Sequence, residues 1–172
     1  MKNLIKLVVI TLFLFSGTAV NAQNYKFGHI NSQELLSLMP ERDSAQAKIQ
    51  QYAKDLEGEL EIMNVEYRNK LNDYLEKQDI LTPLVKQTKE QELSEFQNRI
   101  QEFTNNAQQE LQQQETQLIQ PIVMKAEKAI KDMAKENGFT YIFDLSRGAV
   151  IYFSEQSEDI LPLVLKKLGL EQ

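Results

Sequence analysis

The sequence predicts an α+β fold that is mostly α: a long antiparallel coiled-coil helical hairpin, the arms, standing on a small β-rich body. Three observations carry this. Between Glu41 and Glu136 there is one glycine, Gly58, and two prolines, Pro83 and Pro121, in a stretch otherwise filled by strong helix formers. Apolar residues in that stretch recur every three or four positions, the spacing of a narrow helical stripe. Beyond it, GFTYIFDLSRGAVIYFS, from Gly138 to Ser154, changes to alternating β-branched and aromatic residues.

The elements follow in order. Residues 1–22 read as a secretory signal: Lys2 and Lys6, an apolar run from Leu7 to Phe15, then Val20-Asn21-Ala22, with cleavage expected after Ala22. That run is well short of the roughly 20 residues that span a bilayer, so no direct membrane insertion is expected of the mature chain. YKFGHIN is a strand, and SQELLSLM a short helix capped by Asn31 with Glu34 three residues on. Residues 23–40 and 137–172 together make the body, and residues 41–136 the arms.

In the first arm the stripe is Ile49, Ala53, Leu56, Leu60, Met63, Tyr67, Leu71 and Tyr74. An arm of about 39 residues extends about 58 Å at ~1.5 Å per residue. The chain turns at a tip near residues 79–84, in DILTPLVK, where Thr82 can cap a new helix and Pro83 takes its first position. Leu93, Phe96, Ile100, Phe103, Ala107 and Leu111 then repeat the stripe. Pro121 falls inside the second helix and removes one backbone bond, while the pattern resumes at Ile122, Ala126, Ile130 and Met133. It is expected to kink the helix, either as a pivot between arm and body or only to aim the arm.

Asn137-Gly138 suits a left-handed cap, which ends the long helix. TYIFDL, a turn at Ser146-Arg147-Gly148, and AVIYFS then read as a β-hairpin. A last helix runs from about Glu158 to Leu168 and stops at Gly169. A body of roughly 60 residues is marginal alone. The chain has no cysteine to staple it, so a partner copy is expected, with Phe27, Ile30, Ile142, Leu145, Val150 and Tyr152 as the candidate oligomer core.

Composition narrows the function. The chain has 19 basic and 25 acidic residues; without Lys2 and Lys6 that leaves 17 against 25, a net charge of −8. Such a balance argues against nucleic acid as a partner. Without cysteine there are no disulfides, thiol chemistry or thiol-linked lipid anchor. His29 is the only histidine, and a lone histidine on a strand reads as a packed or surface residue. The glycines are scattered singly, so no phosphate loop is present, and the acidic residues read as solvated helix faces. No enzyme activity and no cofactor or metal are expected.

YKFGHINSQELL, QPIVMKAEKAIKDMAKENGFTYIFDLS and VIYFSEQSEDILPLVLKKLG, with the paired helices between them, resemble the Skp/OmpH family of periplasmic chaperones. The resemblance covers essentially the whole mature chain, with Phe139 where the family commonly has Tyr. It implies an ATP-independent holdase: a homotrimer in the periplasm whose arms surround a cavity for unfolded outer-membrane β-barrel proteins, keeping them from aggregating. Well-studied members are strongly basic, a feature this acidic chain lacks.

An apolar stripe within a polar surface suits many weak contacts. Candidate client-binding residues are Tyr52, Leu56, Leu60, Met63, Tyr67, Tyr74, Leu81, Leu84, Val85, Phe96, Ile100 and Phe103; the stripe members among them are alternatively the packing between the two arm helices. Residues 70–89 carry a net charge of +1 against −6 for residues 41–136 as a whole, so the tip is both less acidic and more apolar than the shafts. It is either a first contact for clients or only the turn that closes the hairpin. The alternative to a chaperone is a non-enzymatic coiled-coil adaptor or spacer of an envelope complex, which would bind one folded partner.

Overall fold

The structure is a computed structural model that describes residues 25–170. The predicted signal and its cleavage site lie outside them. Strand β1 (Phe27–Ile30) leads into helix α1 (Ser32–Ser37), then the two arm helices, α2 (Pro40–Lys77) and α3 (Pro83–Glu136). A short turn of 3-10 helix, Gln78–Ile80, stands at the tip between them. Strand β2 (Tyr141–Asp144), strand β3 (Glu158–Asp159) and helix α4 (Leu161–Leu168) complete the body. Among the described residues no helix is long and apolar enough to cross a membrane.

The helix ends follow local chemistry. The Asn31 side chain accepts hydrogen bonds from the Gln33 and Glu34 amides at 3.1 and 3.2 Å, satisfying the first turn of α1. Thr82 accepts from the Val85 amide at 3.5 Å, with Pro83 opening α3. Gly138 and Gly169 both take positive φ after a helix ends, at 69° and 72°. α3 continues through Pro121, one unbroken helix of 54 residues. At ~1.5 Å per residue, α2 with its 38 residues is about 57 Å long.

The sheet departs from the sequence expectation. β1 lies at its centre, with β2 and β3 on either side, and both pair with it in parallel: Phe27 opposite Tyr141, Gly28 opposite Ile142 and Glu158, His29 opposite Phe143 and Asp159. The expected β-hairpin therefore does not form. Its turn is present, with Gly148 at φ 64° and its amide donating to the Leu145 carbonyl, but AVIYFS forms no strand. Tyr141–Asp144 takes β1 as its backbone partner, while AVIYFS is carried across the outer face of the sheet, where Phe153 stacks on His29, on its way to Glu158–Asp159 at the other edge of β1. α4 accordingly starts at Leu161, not at Glu158.

The core lies beneath this sheet. Ile30 joins Leu35 and Met39 with Ile122, Ala126, Ala129 and Met133 of α3, and with Ile160 and Val164 at α4. The two alanines let the sheet side approach α3 closely. Gly28 is there for a similar reason: a Cβ would sit 2.9 Å from both Ile160 Cγ2 and Phe139 Cε1. Asp144 ties the layers together, accepting from the Ser32 amide and hydroxyl at 3.1 and 2.6 Å and from the Ser146 amide and hydroxyl at 3.0 and 2.8 Å. Burial works to raise its carboxyl, but these hydrogen bonds outweigh it and hold the group at about 2.

Candidate functional site

Two apolar surfaces stand out, one along the arms and one on the body. The arms are held together by the stripe itself. Leu93 and Phe96 are buried, Phe96 with only 3% of its surface exposed, while Leu56, Leu60, Met63, Leu71, Ile100, Phe103 and Leu111 are half-buried. The tyrosines also join the two helices: Tyr52 donates to Glu110 at 2.7 Å, Tyr74 donates to Glu90 at 2.6 Å, and the Gln97 amide donates to the Tyr67 hydroxyl at 2.6 Å. The hydrogen bonds to Glu110 and Glu90 raise the hydroxyls of Tyr52 and Tyr74 above the ordinary tyrosine value. Tyr67 lies against Phe96 with ring centroids 6.2 Å apart, and the Arg99 guanidinium sits 4.5 Å above the Phe96 ring.

The stripe residues are thus placed in the seam between α2 and α3, and Phe96 has almost no surface left for a client. Leu84 and Val85 are exposed at the tip, with Leu81 half-buried beside them. Ile80 is 84% exposed and Leu84 73%. The sequence reading missed Ile80 in its list of contacts, and missed Ile62, Val65 and Leu75, exposed apolar residues on α2. The signal was available: each lies off the three-and-four spacing of the stripe, so an apolar residue there has no seam to fill.

On the body, the face of the sheet opposite the core carries aromatic rings. Phe27 stacks on Tyr141 with centroids 6.1 Å apart and meets Phe143 at 6.3 Å, and all three are exposed. His29 shares this face. Its ring stacks on Phe153 at 4.1 Å, and its Nδ1 lies 2.9 Å from the Ser157 hydroxyl. The segment between β2 and β3 crosses here and, with Phe27, His29 and Phe143, lines an open groove of about 680 Å3. Ile151 is fully exposed, and Tyr152 nearly so.

The candidate oligomer-core residues divide accordingly. Ile30 is buried in the chain's own core, and Ile142 packs against that core. Leu145 and Val150 are half-buried. Phe27 and Tyr152 are on the surface. The parallel sheet explains the division, since it turns Gly28 and Ile30 toward the helices and Phe27 and His29 away. The rings of Tyr141 and Phe143, which the sequence reading placed in a hairpin strand without naming them, complete the outer face.

A second cavity, about 540 Å3, runs between β2 and α3. Its floor is apolar, from Ile30, Leu36, Val123, Ile130, Phe139 and Ile142. Its rim is polar, and includes Glu127, Lys131 and Arg147. Among the described residues no group of three or more histidine, cysteine or acidic side chains is arranged to hold a metal ion.

The fold is shared with a solved structure. A proposed outer membrane chaperone (OmpH-like) from Caulobacter crescentus CB15 superposes with a TM-score of 0.70 at 16% sequence identity, over 90% of this chain and 88% of that one. No curated protein matches the sequence. A family model, described as outer membrane protein (OmpH-like), matches residues 26–168, from the start of β1 to the end of α4. With arms and body both inside that match, the chain belongs to the OmpH-like outer membrane protein family.

Proposed function

We propose that this protein is an ATP-independent holdase of the periplasm, which assembles as a homo-oligomer, a trimer in keeping with the family resemblance. Unfolded outer-membrane β-barrel proteins are held between its arms and kept from aggregating. The observation that carries the reading is the row of apolar side chains left outside the seam: Ile62, Val65, Leu75, Ile80, Leu84 and Val85. They are spread along a polar shaft and concentrated at its tip. A single exposed apolar residue needs no explanation, but a spaced set on a rod with no other interior gives many weak contacts and no deep pocket. Such contacts hold an unfolded chain without selecting a folded shape.

The body supports the same reading. Its exposed aromatic face, with Phe27, Tyr141 and Phe143, gives copies of the chain a surface on which to gather, so that several pairs of arms can enclose one client.

The test is a holding assay with the purified 23–172 chain. Urea-unfolded barrel protein is diluted into buffer without nucleotide, and light scattering is followed. The expected result is suppression near one oligomer per client, with a soluble complex recovered. Replacing Ile80 and Leu84 with Ser is expected to reduce capture severalfold and leave helical content unchanged, because these side chains are 84% and 73% exposed and give little to the packing of the tip. Undiminished scattering with the unaltered chain overturns the reading in favour of an adaptor.

A further inference from the structure

The half of the arm nearest the body has two unlike sides. Tyr52 bonded to Glu110, and Glu41 paired with Lys125, set the first turns of α2 beside residues 103–120 of α3. Residues 41–59 of α2 hold eight charged side chains. Residues 103–120 of α3 hold two, Glu110 and Glu115, against nine side-chain amides. Helix formation does not ask for this, because Glu, Lys and Arg favour a helix as well as Gln does and better than Asn. Five of the amides, Asn106, Gln109, Gln113, Gln117 and Gln120, recur at intervals of three or four residues and so form one row along the helix, about 21 Å long at ~1.5 Å per residue. All five are exposed, and none of their side chains bonds to another described group of the chain. The row ends at Pro121, which adds a main-chain group to it: Pro121 has no N–H, so the Gln117 carbonyl lacks its donor within the helix.

We propose that this amide row is a client-binding surface, and that what it takes is the main chain of an unfolded polypeptide. A side-chain amide offers the same N–H and C=O groups as a peptide unit, so a row of them hydrogen-bonds an extended segment whatever its sequence. Each such bond replaces one to water and adds little, which suits a hold that is released without an energy source. With no charge in the row, no segment of a client is turned away by its sign. A second copy of this chain is the poorer occupant. Its arms are helices whose main-chain groups are already bonded within the helix, whereas an unfolded chain brings unpaired N–H and C=O groups of its own. The inference rests on the holdase reading, and adds to the apolar contacts at the tip a contact of another kind near the body.

The experiment compares the full 23–172 chain with a variant carrying Asn106→Ala, Gln109→Ala, Gln113→Ala and Gln117→Ala. Alanine is the stronger helix former, so helical content is expected to be unchanged or higher by circular dichroism. Affinity for labelled, urea-unfolded barrel protein is read by fluorescence anisotropy after dilution, and is expected to fall about tenfold in the variant, the sum of several weak bonds lost. The sign is informative, because a surface made more apolar would hold a client better if only apolar contact mattered. A second probe is a short labelled peptide alternating Val with Thr, and the same peptide N-methylated at alternate residues. N-methylation removes main-chain donors, and is expected to weaken binding to the parent chain but to make no further difference to the variant.

Undiminished or tighter capture by the alanine variant overturns the proposal, and so does a parent chain indifferent to N-methylation. If either happens while the parent still suppresses barrel aggregation, the holdase reading stands and only the amide row falls. A change in sedimenting mass on alanine substitution makes the row an interface between copies, which likewise overturns it. A parent chain that captures nothing removes the holdase reading and this inference together.

Discussion

Asp144 shows how much a single side chain can join in this body. Its carboxylate gathers two amides and two hydroxyls from the start of α1 and the turn after β2, segments more than a hundred residues apart in sequence. The folded-state carboxyl titrates at about 2, below its ordinary 3.8. A depressed acid stabilises the fold above its unfolded pKa, and that contribution is lost as pH falls toward 2. Asp144→Asn is therefore expected to cost up to about 2 kcal/mol at neutral pH, the scale of hydrogen bonds to a charged group at a partly solvated site. The variant should also lose less stability than the parent between pH 4 and pH 2, as urea unfolding at each pH would report. Equal acid sensitivity in the two proteins would place the titrating group elsewhere. This role was hidden from the sequence because Ser32 and Asp144 meet only after folding. The caps at Asn31, Thr82, Gly138 and Gly169 were legible because each acts within a few residues of itself.

The arms illustrate both the strength and the limit of periodicity. Spacing located two long helices, their tip and the seam between them, since an amphipathic stripe is a local property of the chain. It could not say whether the stripe faces a client or the other helix. Tyr52, Tyr67 and Tyr74 settle in the seam because their hydroxyls reach Glu110, Gln97 and Glu90 across it. The hairpin strand failed for a related reason: alternation marked AVIYFS as strand-like, but pairing depends on where the chain is carried in three dimensions, and here AVIYFS crosses the outer face of the sheet, with Phe153 on His29, while Tyr141–Asp144 pairs with β1. A consequence concerns the arm alone. Phe96 is the most buried aromatic residue of the seam, packed against Tyr67 and beneath Arg99, so Phe96→Ala should destabilise by about 3 kcal/mol. Amide exchange in the facing parts of α2 and α3 should accelerate, while β1 and α4 stay protected. If exchange rose equally throughout, the arms and body would be one cooperative unit and not two.

At the scale of the whole molecule, the chain has a short, well-packed core beneath the sheet and an exposed aromatic face above it. The two surfaces of β1 and β2 have opposite characters: Ile30 inside, and Phe27, Tyr141 and Phe143 outside. Each buried aromatic side chain contributes about 1.5–3 kcal/mol relative to its exposed state. Removing two of them from a shared interface should weaken association roughly 100-fold or more. Tyr141→Ser with Phe143→Ser is the pair to make, because both rings point away from the core and their loss leaves Ile30, Met133, Ile160 and Val164 in place. In sedimentation across a concentration series, the parent chain is expected to remain oligomeric at concentrations where the double variant dissociates, with the arm helices intact in both. Capture of unfolded barrel protein should fall with the oligomer, because one pair of arms encloses nothing. A variant that dissociates yet still captures clients fully would make the single arm pair the working unit, and a variant that stays assembled would place the interface on another face of the body.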